Sequence, residues 1–393
     1  MHDLASVFIF LGGVFLAGLV TDLIGRRTAL PRVSLLILVG VAIGPAGLDL
    51  LPDFGSDWYP LIADMALVMV GFLIGGHLTL DTLRRHGRVV LLISTAVTVV
   101  TFLVVFGGLG LLGLPLAAAV LLAAIATATD PIATADVVRQ LDADGPRTRS
   151  LLGIVAIDDA WGLIAFTLAM LVAGQAAAEQ GPSAVIATVT WEIGGALALG
   201  LLLGLPMARL SGRLSPGEPT QTEALGIVLM GGGLALWLEV SFLLTAVTLG
   251  AVVANTARHH NRPFNAIEGI EWPFMILFFV LSGASLRPET LEPAGIAIAA
   301  FLLLRLLGRV LGGMLGAWLA APEPDGSRRL GLAMLPQAGV AMGMALIAAQ
   351  SFPEHADRIL PVVITTIVVF EIVGPMATRA VIRSWGEHGK ARD

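Results

Sequence analysis

The chain has 393 residues, of which 56% are hydrophobic and only 13% charged, with a mean hydropathy of +0.88. A soluble globular protein carries roughly a quarter of its residues as Asp, Glu, Lys and Arg, so a single water-soluble domain is excluded. Cys is absent and the net charge is −6, which excludes disulfides, Cys-ligated zinc and thiol catalysis and argues against nucleic acid, which needs a basic footprint. The 46 glycines suit helices that approach closely in lipid, where small residues form the contacts. The composition is that of an all-α polytopic membrane protein.

A helix needs about 20 apolar residues to cross the hydrocarbon core. With Pro, Gly and charge clusters as punctuation, thirteen spans are predicted: 4–25, 31–51, 57–79, 88–112, 115–139, 148–174, 185–209, 219–238, 241–257, 265–286, 293–320, 328–351 and 358–383. The first follows Met1-His2-Asp3, which lacks the basic region of a cleavable signal, so it is expected to stay as a helix. With the N-terminus outside, 19 of the 23 basic residues fall in inner segments; Arg287 and Arg358 fall outside, and Arg305 and Arg309 fall within a span. That bias predicts an N-out, C-in orientation. Residues 386–393 are expected to form a short cytoplasmic tail.

A charge within a span is costly, at least about 2.5–3.5 kcal/mol at the bilayer centre, and is a functional candidate by default. In span 5, Thr127, Thr129 and Asp130 surround Pro131, which cannot donate a backbone hydrogen bond and frees a carbonyl one turn back. Such a sequence builds a broken helix facing a cavity. In span 6, Asp158 and Asp159 stand about ten residues from the inner end, roughly 15 Å deep. Adjacent helical residues point about 100° apart, so one carboxylate can face a cavity and the other a neighbouring helix. In span 11, Arg305 and Arg309 share a face, and Asp158 or Asp159 is the obvious partner for either. For Arg305, snorkelling to the interface is the alternative. Span 12 is interrupted at Pro336-Gln337-Ala338-Gly339. Asp64, Glu192, Glu239, Glu371 and His77 are weaker candidates, and no phosphate loop, His-based metal site or nucleophile-and-base arrangement is present.

Spans 4–6 and 11–13 therefore form two triplets with broken middle helices, seven apart in order and so opposite in direction. That is the pattern of an inverted-repeat transporter with its site at the midplane. Asp130 can balance the exposed N-terminal helix ends, while Asp159, Thr129 and freed carbonyls form an oxygen-rich site suited to a small cation such as sodium. A site that holds either a cation or protons couples the two gradients by competition.

Ala128-Thr129-Asp130 and Ala156-Ile157-Asp158-Asp159 resemble the paired motifs of the bacterial monovalent cation/proton antiporter superfamily, in its two-aspartate, sodium/proton branch. Val39–Gly47, Gly71–Gly75 and Leu307–Gly312 support the resemblance. It implies a core domain (88–174 and 293–385) moving like an elevator against a dimerisation scaffold (1–87 and 175–292). It also implies a homodimer in the cell inner membrane, exchanging sodium or lithium for protons without a cofactor. Asp159 would bind cation and protons, Asp158 would pair with the basic residue of span 11, and Thr129 and Asp130 would shape the crossing. That branch usually has Lys where Arg309 stands, and Arg effectively never releases its proton. This departure predicts either electroneutral exchange or Asp158 as a second proton carrier. A potassium/proton antiporter on the same fold and a sodium-coupled organic-anion symporter are the rival readings.

Overall fold

The computed structural model describes residues 2–27, 32–50, 58–178, 182–210, 220–257, 261–320, 329–337 and 339–387, and among them the regular structure is helical throughout. In chain order the helices are α1 (His2–Arg27), α2 (Arg32–Ile43), α3 (Trp58–His77), α4 (Leu80–Leu111), α5 (Leu116–Ile125), α6 (Pro131–Gln140), α7 (Pro146–Ala178) and α8 (Pro182–Leu210). They continue with α9 (Thr220–Trp237), α10 (Phe242–Thr256), α11 (Asn261–Ala284), α12 (Pro288–Ala320), α13 (Leu330–Ala333), α14 (Gly339–Ser351) and α15 (Pro353–Trp385). Seven of them are long and apolar enough to cross a membrane, and five shorter apolar helices accompany them. The predicted breaks fall where expected: span 5 divides into α5 and α6, and span 12 into α13 and α14.

Span 2 is shorter than predicted. Helix α2 stops at Ile43, not near residue 51, because Pro45 has no N–H to continue the ladder. The chain folds back, with Leu48 N donating to Ala42 O and Leu50 N to Ile43 O, both at 2.8 Å. Glu239, between the predicted spans 219–238 and 241–257, sits with φ of 54° in the turn between α9 and α10.

One packing order occurs twice along the chain. Helix α4 packs against α7 and α12 against α15, while α5 lies on α7 and α14 on α15. The two halves exchange partners, so α2 packs on α11, α3 on α10 and α4 on α12. The α4–α12 seam is close because Gly308, Gly312 and Gly316 stand over the backbones of Thr101, Val97 and Ile93. Small residues one turn apart let two helix backbones meet in this way. The largest apolar core joins both halves, and a second cluster around Val90, Leu151, Ile154, Ala333 and Val381 lies under one end of α7 and α15.

Helix α7 begins at that end under an unusual cap. The Glu387 carboxylate accepts from Arg147 N at 3.2 Å and from Thr148 N and Oγ1 at 2.8 Å each. These are orphan donors of the first turn, and a carboxylate there also complements the helix dipole. Beside it, Arg149 forks onto Asp144 at 2.8 Å through Nε and Nη2, a bond that holds the Asp144 carboxyl below the usual carboxylate range. Whatever this pair contributes is present at neutral pH and fades as pH falls through that lowered value. Being exposed, it contributes little.

Candidate functional site

The two chain breaks meet. After α5 the chain tightens into a last turn, Thr127 N donating to Ala124 O and Ala128 N to Ile125 O, then leaves the helix through Thr129 and Asp130, and Pro131 opens α6 at the position where its missing N–H costs nothing. On the other side the chain leaves α13 at Ala333 and passes through Leu335, Pro336 and Gln337. Asp130 N donates to Pro336 O at 3.0 Å, and Gln337 Nε2 donates to Ile125 O at 2.9 Å. Gln337 is fully buried.

This contact depends on a glycine in the neighbouring helix. A Cβ on Gly374 of α15 would stand 2.6 Å from Pro336 N and 2.7 Å from its Cα. Gly374→Ala is therefore expected to destabilise the fold by about 1–3 kcal/mol through overpacking against backbone. Gly107→Ala, with nothing within 4 Å of its added Cβ, should be neutral or slightly stabilising. Thermal unfolding of both variants in detergent checks the contrast.

Two arginines from α12 close the site, and they do different work. Arg305 makes no snorkelling excursion; it is fully buried, which overturns the alternative of an interfacial guanidinium. Its Nε donates to Ala126 O at 3.0 Å, Nη2 to Ala128 O at 2.9 Å and Nη1 to Leu335 O at 2.8 Å. One guanidinium thus ties carbonyls of both breaks together, at the end of α5 where the helix dipole is negative. Its other face lies 4.3 Å from the centre of the Phe370 ring, a cation–π contact.

Arg309, one turn on, takes the ion pair. Its Nη1 lies 2.6 Å from Asp158 Oδ2 with both side chains fully buried, and its Nη2 donates to Thr127 O. Thr98 of α4 supplies the other side of that carboxylate, Oγ1 to Oδ1 at 3.2 Å, and the Thr129 hydroxyl faces it as well. Helix α13 comes close enough to support this because Gly331 has no side chain; a Cβ there would overlap Arg309 O at 2.0 Å.

Asp130 does not join Asp158. It caps α6, with Oδ1 accepting from Ala133 N at 3.1 Å. Asp159 follows Asp158 in α7, but its side chain lies outside the described residues, as do those of His77 and Ala338. Thr98 is the site residue that the sequence did not mark. It is one of several threonines on an apolar helix, and nothing local distinguishes it.

The site thus joins a buried carboxylate–guanidinium pair, loop carbonyls and two interrupted helices. A profile of the family described as the transmembrane sodium/hydrogen exchanger matches residues 11–383. The ammonium/proton antiporter subunit AmhT of Alkalihalophilus pseudofirmus is 24% identical over 371 residues, covering 94% of this chain and 93% of that protein. The sodium/proton antiporter NhaP of Pseudomonas aeruginosa is 27% identical over 203 residues, about half of each chain. In fold, the chain is similar to the sodium proton antiporter MjNhaP1 of Methanocaldococcus jannaschii at pH 8, with a TM-score of 0.74, 20% identity, and coverage of 98% of this chain and 96% of the other.

Proposed function

The chain belongs to the family of transmembrane sodium/hydrogen exchangers, and we propose that it exchanges sodium or lithium for protons at the crossing of its two broken helices. The observation that carries this reading is the fully buried Asp158–Arg309 pair beside the breaks. Asp158 is committed to the Arg309 guanidinium, which leaves Asp159, the next residue of α7, to take the exchangeable load. Thr129, buried at the break, is the second proposed sodium ligand. Sodium and protons are cargo here, and no cofactor enters the scheme.

Competition does the coupling. A carboxylate that has taken a proton holds a cation poorly, and a site occupied by a cation disfavours protonation, so one species leaves as the other loads. The core (88–174 and 293–385) carries the site from one side of the membrane to the other against the scaffold (1–87 and 175–292). The close α4–α12 seam lies within that core and supports its movement as a unit. The scaffold is the proposed dimer surface, in a cell inner membrane with the N-terminus outside and the C-terminus in the cytoplasm.

A second reading has one specific observation behind it. The relative matched over 94% of this chain is an ammonium/proton antiporter subunit, so ammonium, or potassium of similar size, is the alternative cargo for the same machinery. Liposomes holding the protein and a pH dye, acid inside, decide between them. Alkalinisation on adding sodium or lithium chloride but not potassium or ammonium chloride, beyond that of protein-free vesicles, is the expected result. A response to potassium or ammonium alone replaces the cargo, and no response to any cation rejects antiport.

A further inference from the structure

Gln337 stands in the second break, between Pro336 and the start of α14, and its side chain is fully buried. Its Nε2 donates to Ile125 O at 2.9 Å, at the end of α5. Its Oε1 has no hydrogen-bond partner among the described residues. Turning the amide over would not help, because Ile125 O can only accept and needs the nitrogen in front of it.

The backbone oxygens beside it are met. Ala126 O, Ala128 O and Leu335 O receive Arg305, Thr127 O receives Arg309, and Pro336 O receives Asp130 N. Arg309 also holds Asp158, so both arginines of α12 are engaged elsewhere. A buried acceptor without a donor is costly and uncommon in native proteins, and Gln337 Oε1 is such an acceptor at the heart of the crossing.

Its place indicates what meets it. The Ile125 O bond on one side and the Asp130 N–Pro336 O bond on the other bracket residues 126–129, so Gln337 lies along the stretch that carries Thr129. An amide oxygen is a hard donor, of the kind that suits a cation with oxygen ligands. Being neutral, it adds a coordination bond without adding charge, so one carboxylate still balances a monovalent ion. It also does not titrate, and so leaves competition with protons to that carboxylate.

We propose that Gln337 Oε1 is a neutral ligand of the transported cation, joining Asp159 and Thr129. Calling that cation transported rests on the antiport reading. The two ends of the amide then divide the labour: Nε2 ties the second break to α5, and Oε1 faces the cargo.

Gln337→Met keeps the length of the side chain and removes both ends, and two readings of that variant separate them. The thermal midpoint of the detergent-solubilised protein is followed at rising sodium, lithium, potassium or ammonium chloride, with choline chloride holding the ionic strength. The wild type is expected to gain stability with its cargo ion, and the rise yields a dissociation constant. In Gln337→Met that constant should be on the order of tenfold larger, the scale of one lost bond to a charged group. Loss of the tie to Ile125 O alone would lower the midpoint at every concentration and leave the constant unchanged. In liposomes the cation KM should rise by a similar factor, with kcat within about threefold of wild type. An unchanged dissociation constant, a lower kcat at unchanged KM, or a wild type that none of the four cations stabilises would overturn the proposal. Should Gln337→Met not fold, Gln337→Asn, whose amide is one methylene too short to meet both partners, is read in the same way. Because the thermal titration needs no transport, a wild type that binds sodium without exchanging it rejects antiport and leaves this ligand standing.

Discussion

Asp158→Asn is expected to lower stability by about 3–5 kcal/mol, since it strands the fully buried Arg309 guanidinium without its counter-charge. The loss reads out as a lower thermal midpoint in detergent. Replacing both partners, Asp158→Asn with Arg309→Met, should recover most of it, because a buried pair exchanged for neutral groups of similar volume is often close to neutral. Thr98 keeps a hydrogen-bond partner in either case, as an Asn side chain can also accept from its hydroxyl. If Asp158 serves only as counter-ion, the double variant retains exchange at a reduced rate. Asp159→Asn should fold normally and exchange nothing, and sodium-driven proton flux surviving that change would reject the assignment of the load to Asp159.

Replacing Arg305 is expected to disable transport more than folding. Arg305→Met deprives the buried Ala128 and Leu335 carbonyls of their donor and leaves Ala126 O only the 3.4 Å bond from Arg309 Nη2, at about 1–3 kcal/mol for each carbonyl stranded. Removing an unpaired buried charge offsets part of that cost. What is not offset is geometry, since one planar fork sets the distance between the two breaks. A misplacement of about 1 Å at a reacting centre can cost on the order of a hundredfold in rate, and exchange should fall by that order. Arg305→Lys keeps the charge, yet a compact ammonium does not reproduce the fork, so little rescue is expected. Wild-type flux in Arg305→Lys would reduce the role of Arg305 to charge alone.

The breaks in spans 5 and 12 could be read from the chain because Pro131 and Pro336 cannot complete a helical ladder, and each stands beside polar groups that lipid would not accept. Buried charges were equally visible, since 13% charge leaves few places for an Asp or Arg in a span. Which arginine would take the ion pair was not readable. Arg305 and Arg309 share a face one turn apart, and the choice turns on where two separate loops cross in space, 30 residues and 179 residues along the chain from Arg305. The early end of α2 at Pro45 is harder to read, because the leucines at 48 and 50 prolong the apolar run and it takes the fold-back onto Ala42 and Ile43 to turn the chain out of the helix. Thr98 is hidden for a related reason: it joins two helices, 60 residues apart in sequence, by a single polar group.

The Glu387 cap has a practical side. A carboxylate just beyond α15 holds the first turn of α7, and Gly145 leaves room for it, since a Cβ there would stand 2.2 Å from Glu387 Cδ. Asp158 stands about three turns further along the same α7 helix. An affinity tag or fluorescent fusion joined immediately after Glu387 therefore hangs on a strut of the helix that bears the Asp158–Arg309 pair, and its linker strain would be felt there first. Labels for flux or single-molecule work belong elsewhere, or behind a spacer long enough to leave this handle slack.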